Sequence, residues 1–206
     1  MKLYYSPGAC SLSPHIVLRE AGLPVELIQV DLASGKLVAS GDRFRNINPK
    51  GYVPALEIGE ALPLTEGAAI VQHIADSHPE AGLAPAAGTA ARARVNEWLT
   101  FLSSELHKSF GPLFTPGSSD EARQAAIKKV KSRLDMVEAA LADGRSWLTG
   151  EVFTIADAYL FTLTNWTGPT QIGLADHPGL AAYQARVAAR PAVQAALEAE
   201  GLLQAA

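Results

Sequence analysis

The spacing of hydrophobic and polar positions changes character once along the chain, near residue 80. Before it, short β-prone runs alternate with breakers. The runs are Lys2–Tyr5, Glu26–Val30 and Val53–Ile58, with a weaker one near Ala61–Leu64. Proline and glycine separate them at Pro7-Gly8, Gly22-Leu23-Pro24, Asn48-Pro49-Lys50-Gly51 and Val53-Pro54, the turn-forming chemistry expected between strands. Ser11–Ala21 reads as a helix: serines suited to capping open it, Pro14 sits in its first turn and Gly22 ends it. A second helix follows Glu66, with Ile70 and Ile74 four residues apart on one face. Residues 36–50 match neither period, and a short irregular helix is expected there. The order strand–helix–strand, then strand–strand–helix, predicts an α/β domain built from one βαβ and one ββα unit. Together these make a mixed four-stranded sheet with helices packed on it.

From about Thr89 onward the pattern is helical throughout, with segments near 89–111, 119–142, 154–167, 178–189 and 191–199, all rich in alanine. The stretch Pro79-Glu80-Ala81-Gly82-Leu83-Ala84-Pro85-Ala86-Ala87-Gly88 is dense in turn formers. The expected division is therefore an α/β domain over 1–80, a linker over 81–88 and an all-α domain over 89–206.

Composition narrows the function classes. The chain has 206 residues, of which 48% are hydrophobic, enough for a sizeable core. A net charge of −4 with 18% charged residues supplies no electrostatic reason to bind nucleic acid or an anionic membrane. No apolar run approaches the ~20 residues of a membrane span. The N-terminus lacks the long apolar stretch of a signal peptide. A single cysteine excludes an internal disulfide. These features lead us to expect a soluble cytoplasmic protein.

That cysteine, Cys10, lies in Ser6-Pro7-Gly8-Ala9-Cys10-Ser11-Leu12-Ser13-Pro14, where a strand gives way to a helix. Free N–H groups and a partial positive charge at a helix start favour thiolate, so an acidic thiol is expected. The pattern is Cys-x-x-Ser, with Ser13 where a dithiol oxidoreductase carries its second cysteine. A lone thiol needs an external thiol to resolve a mixed disulfide. The same position also suits an inert buried cysteine. Val53-Pro54 enters a strand; a cis bond there would turn backbone groups outward, where an extended peptide can pair with Val53. In Leu64-Thr65-Glu66-Gly67, Glu66 opens a helix. It suits either the helix dipole or a ligand's ammonium group, with the Gly67 N–H free for a carboxylate. Thr154-Ile155-Ala156-Asp157 reads as a structural capping box. His73 and His78 share no helix face and no metal pattern emerges. His107 lies late in the long helix, where periodicity does not decide its role.

Taken in order, Tyr4-Tyr5-Ser6-Pro7-Gly8-Ala9-Cys10-Ser11, Asn48-Pro49-Lys50-Gly51-Tyr52-Val53-Pro54-Ala55-Leu56, Leu64-Thr65-Glu66-Gly67, Ser104-Glu105-Leu106-His107-Lys108 and Phe153-Thr154-Ile155-Ala156-Asp157 resemble the glutathione transferase family, in its bacterial beta class. The resemblance runs essentially end to end. It implies a thioredoxin-like N-terminal domain, an all-helical C-terminal domain and a homodimer. It places Cys10 beside the sulfur of glutathione, with His107 as a second polar group there. It has Val53, before a cis Pro54, pair with the cysteinyl backbone. Glu66 and Gly67 then hold the γ-glutamyl end, and Lys36 meets the glycyl carboxylate. Gly67, where the wider family often has Ser, offers only backbone. Thr100 stands where beta-class relatives carry Asn.

The chemistry so implied is attack of the glutathione thiolate on a soft electrophile, with glutathione as co-substrate and no other cofactor. The helix start after Cys10, the Ser11 hydroxyl and His107 are the expected thiolate-stabilising groups. Phe110, Phe114 and Trp166 are the expected apolar wall for a small hydrophobic second substrate. Two other readings use the same site: a glutathione-dependent disulfide reductase with Cys10 as nucleophile, and a non-catalytic binder of hydrophobic ligands.

Overall fold

A computed structural model describes residues 1–203. The α/β part runs β1 (Lys2–Tyr5), α1 (Leu12–Glu20), β2 (Glu26–Asp31), β3 (Lys36–Leu37), β4 (Ala55–Glu57), β5 (Leu64–Thr65) and α2 (Gly67–Ser77). The sheet order is β3-β2-β1-β4-β5. Strands β1 and β2 are parallel because α1 carries the chain back between them; the other pairs are antiparallel. The sheet thus has five strands, not four. The extra one, β3, falls in the stretch that matched neither period, since two residues are too few to show one. A 3-10 turn at Phe44–Asn46 supplies the short helix expected there.

Alternation along β1 divides the core. Leu3 and Tyr5 face α1 and α2, while Tyr4 joins Val30, Phe44, Val53 and Ala55 on the other side of the sheet. The larger cluster is continuous with the helical part: Ile16 and Val17 of α1 belong with Leu99, Leu160 and Val193.

The helical part begins with α3 (Ala90–Phe101). A wide π turn, Leu102–Leu106, follows, in which the His107 N–H reaches back to the Leu102 carbonyl. Then come α4 (His107–Ser109), α5 (Gly111–Phe114), α6 (Asp120–Leu141), α7 (Ile155–Asn165), α8 (Pro178–Ala188) and α9 (Pro191–Ala199). The segment expected as one helix over 89–111 is therefore continuous only in outline. Wide turns of this kind gather at functional sites. The capping box at α7 forms. Helices α7 and α9 both pack on α1, so the helical part is seated against the chain that carries Cys10. No described helix is long and apolar enough to cross a membrane.

Candidate active site

A cleft of about 760 Å³ opens where the β1–α1 turn, the cis Val53–Pro54 step and the start of α2 meet α4 and α7. Cys10, Val53, Glu66, Gly67, His107 and Trp166 all line it. Its size suits a small organic ligand.

The turn that carries Cys10 is held from both sides. Gly8 has φ +70°, a conformation that glycine adopts without strain. Its N–H donates to Glu200 Oε2 at 2.9 Å, and its carbonyl accepts from Trp166 Nε1 at 2.8 Å. Glu200 also reaches His15 Nδ1 at 2.9 Å, with both side chains fully buried. Arg19 Nε donates to His15 Nε2 at 3.2 Å, so Nε2 accepts and the Nδ1–H donates to Glu200. Within the turn, the Ser11 hydroxyl donates to the Ser6 carbonyl and accepts from the Ser6 N–H, each at 3.2 Å. Ser11 is fully buried. Its hydroxyl knits the turn together instead of facing the cleft, which corrects the expectation that it helps a ligand's sulfur directly.

The Cys10 thiol is half-buried and donates to the Val53 carbonyl at 3.3 Å. Burial pushes it up to about 11, against the weaker pull of its own N–H, of Lys108 and of the Ser11 N–H. The expected acidic thiol is thus corrected. Helix α1 starts only at Leu12, and the Leu12 and Ser13 N–H groups are already taken by the carbonyls of Ala9 and Cys10.

Glu66 stands at φ 68°, ψ 111°, a strained backbone for a residue with a side chain. Its exposed carboxylate accepts from Lys50 Nζ at 2.7 Å and the Tyr52 hydroxyl at 3.2 Å. Lys50 chiefly holds that carboxyl below its usual range. Gly67 opens α2 under the ring of Tyr159: a Cβ there would sit 3.0 Å from Tyr159 Cε2. A side chain at this helix start would press on that ring, which favours glycine there. Lys36 behaves differently. It is exposed on the outer strand β3, pairs with Asp31 and does not line the cleft. The cation that does line it is Lys108.

His107 is half-buried, with Nδ1 3.1 Å from the Tyr159 hydroxyl and its ring edge-on to Trp166 at 4.9 Å. Burial, helped by Lys108, lowers it to about 4, so it is neutral near pH 7. Phe114, Trp166 and Leu202 form the apolar wall. Phe110 does not. It is fully buried behind Trp166, the two rings edge to face at 5.4 Å. Thr100 is exposed on α3, its hydroxyl turned to the Asn96 carbonyl. Tyr159, Lys108 and Glu200 are site residues that no sequence motif singled out by role. Tyr159 was hidden in an apolar helical run and Glu200 among the last residues of the chain.

A thioredoxin-like sheet domain facing helices, with a lone cysteine, a backbone edge for an extended peptide and a carboxylate in one cleft, defines a thiol-peptide enzyme. The N-terminal domain family of glutathione S-transferases matches residues 1–76 and the C-terminal domain family residues 101–191. A glutathione S-transferase of Escherichia coli O157:H7 is 45% identical over 98% of this chain and 100% of its own. A sphingomonad glutathione S-transferase solved in complex with glutathione is 49% identical, with a TM-score of 0.93 over 98% of this chain and 100% of that one. The bacterial beta-class enzyme of Sphingomonas chungbukensis is also 49% identical, with a TM-score of 0.94 and the same coverage. The chain belongs to the glutathione S-transferase family, and it is an enzyme of glutathione transfer.

Proposed function

We propose that this cleft transfers the thiolate of glutathione to small hydrophobic electrophiles in a detoxifying, cytoplasmic role. The observation that carries the reading is the convergence of Cys10, Val53, Glu66, Gly67 and His107 on one cleft with an aromatic wall. The peptide lies along Val53, its γ-glutamyl end between the Glu66 carboxylate and the Gly67 N–H. Lys36 remains the candidate for the glycyl carboxylate: it pairs with Asp31, next to the cleft residue Leu32. The active species is a homodimer, and the division into two domains falls at 81–88.

A free thiol of pKa ~8.5 is mostly protonated at neutral pH, and each unit of lowering stabilises thiolate by ~1.4 kcal/mol. Lys108 supplies positive charge and His107 a ring N–H beside the reacting sulfur. Cys10 faces the same place as a protonated thiol; to donate to that thiolate its S–H would have to turn from the Val53 carbonyl. The disulfide-reductase reading needs Cys10 as the attacking thiolate, and its raised pKa works against that. One variant separates the two. Cys10→Ala is expected to keep conjugation, reduced about tenfold, equal to about 1.4 kcal/mol, and to lose reduction of glutathione mixed disulfides. Both rates are measured on the same preparation; loss of both would favour the reductase.

A further inference from the structure

Tyr159 is a buried polar group that lines the cleft, 3% exposed, and no part of the reaction scheme so far uses it. Two contacts fix it. Its ring closes over Gly67, and its hydroxyl stands 3.1 Å from His107 Nδ1. Among the described residues this is the only hydrogen bond the hydroxyl makes. A buried phenolic O–H without an acceptor is costly, so its proton goes to the ring nitrogen it faces. A ring nitrogen that accepts carries no proton of its own, and a neutral imidazole then carries its single proton on the other nitrogen.

We propose that Tyr159 is a positioning residue that fixes His107 as the Nε2–H tautomer, so that His107 serves the bound thiolate as a hydrogen-bond donor and not as its base. This rests on the reading that His107 stands beside the glutathione sulfur. The opposite tautomer would leave Nε2 with a bare lone pair, which repels a thiolate and can only take the thiol's proton. With the Nε2–H form, the thiol proton leaves to solvent and the ring's N–H bonds the sulfur that remains. The charged and titratable groups around His107 keep the choice between tautomers decisive. Lys108 on the same helix disfavours an imidazolium, Glu66 at the start of α2 weakly favours one, and burial outweighs both. Cys10 and Tyr159 face it as neutral groups, both pushed up by burial.

The test is nitrogen NMR of protein labelled at histidine, near pH 7 with glutathione bound. His107→Gln identifies the His107 signals by their loss. A protonated Nε2 with a bare Nδ1 is expected; a protonated Nδ1 overturns the proposal. Tyr159→Phe keeps the ring over Gly67 and removes only the hydroxyl. It is expected to mix the two tautomers, to move the acid limb of the kcat/KM profile to higher pH and to lower kcat/KM about tenfold, with little change in KM for glutathione. In the His107→Gln background the same change is expected to do nothing further, and an equal loss in both backgrounds overturns the proposal. Unchanged kinetics in His107→Gln alone would instead remove His107 from the reaction, a failure of the underlying reading distinct from a wrong tautomer.

Discussion

Glu66 and His107 in the cleft are each tuned by a few neighbours. Glu66 is the clearest case. Its carboxylate is exposed and shared with Lys50 and Tyr52, on a backbone that glycine would adopt more readily. An exposed ion pair of this kind stabilises little by itself, about 0–1 kcal/mol, so holding the strained conformation serves a ligand better than the fold. Glu66→Ala is expected to weaken glutathione binding at least tenfold while leaving thermal stability nearly unchanged; titration calorimetry beside a melt reads both. His107 gives a pH prediction. Its folded value, about 4, lies below its ordinary 6.5. As pH falls from 6.5 towards 4 the unfolded chain takes up a proton that the folded one refuses, so stability falls over that window. His107→Gln is expected to flatten this part of the stability profile, measured by denaturant melts at stepped pH.

Among the helices, α7 carries the most concentrated polar anchor. The Asp157 carboxylate, fully buried, accepts from the Thr154 and Leu148 N–H groups at 2.7 Å each, from the Tyr183 hydroxyl at 2.7 Å and from the Thr154 hydroxyl at 2.9 Å. It therefore does more than cap its own helix: it ties the loop before α7 and the face of α8 to one point. The same helix presents Tyr159 to the cleft half a turn further on. Asp157→Ala leaves four donors without a partner and is expected to cost about 3 kcal/mol or more. Denaturant unfolding should show this loss, with KM for glutathione little altered in the fraction that folds. An activity loss at unchanged stability would instead assign Asp157 to the reaction. The π turn before His107 is the other element-scale feature, since it closes on the very residue that meets Tyr159.

Across the whole molecule, the two parts of the chain are joined by packing and by a few part-buried polar ties. Arg92 binds Asp76 through both nitrogens, at 2.6 and 2.9 Å, and Arg190 binds Glu20 at 2.6 and 2.8 Å while lying over the Phe153 ring. Glu200 is different because it reaches the catalytic turn itself, through Gly8 and His15. Glu200→Ala leaves the Gly8 N–H and the His15 Nδ1–H without partners in a buried place. It is expected to lower stability by about 2–4 kcal/mol and to raise KM for glutathione as the Gly8–Cys10 turn loosens. Unfolding curves and steady-state kinetics on the same variant check both parts.

How far all this was legible follows from what local sequence encodes. The breakers at Pro7-Gly8, Gly22 and Asn48–Gly51, the period of Ile70 and Ile74, and the Thr154–Asp157 spacing are local, and they placed the strands, both sheet helices, the helical half and the capping box. Motif order along the chain carried the family and put Cys10, Val53, Glu66, Gly67 and His107 in one set. Strand β3 escaped because two residues show no period and its pairing with β2 is a tertiary fact. Burial was equally out of reach. The helical spacing that offers Phe110 and Phe114 alike does not say that the first is sealed behind Trp166 and the second half open. Ser11 and Cys10 stand side by side in sequence, yet packing turns one inward and raises the pKa of the other, because desolvation depends on everything that surrounds a group. Helix starts, caps and turns are properties of neighbours in the chain. That the one thiol is not acidic, which histidine lies well below its ordinary pKa and which phenol meets it were decided only when distant segments closed on one another.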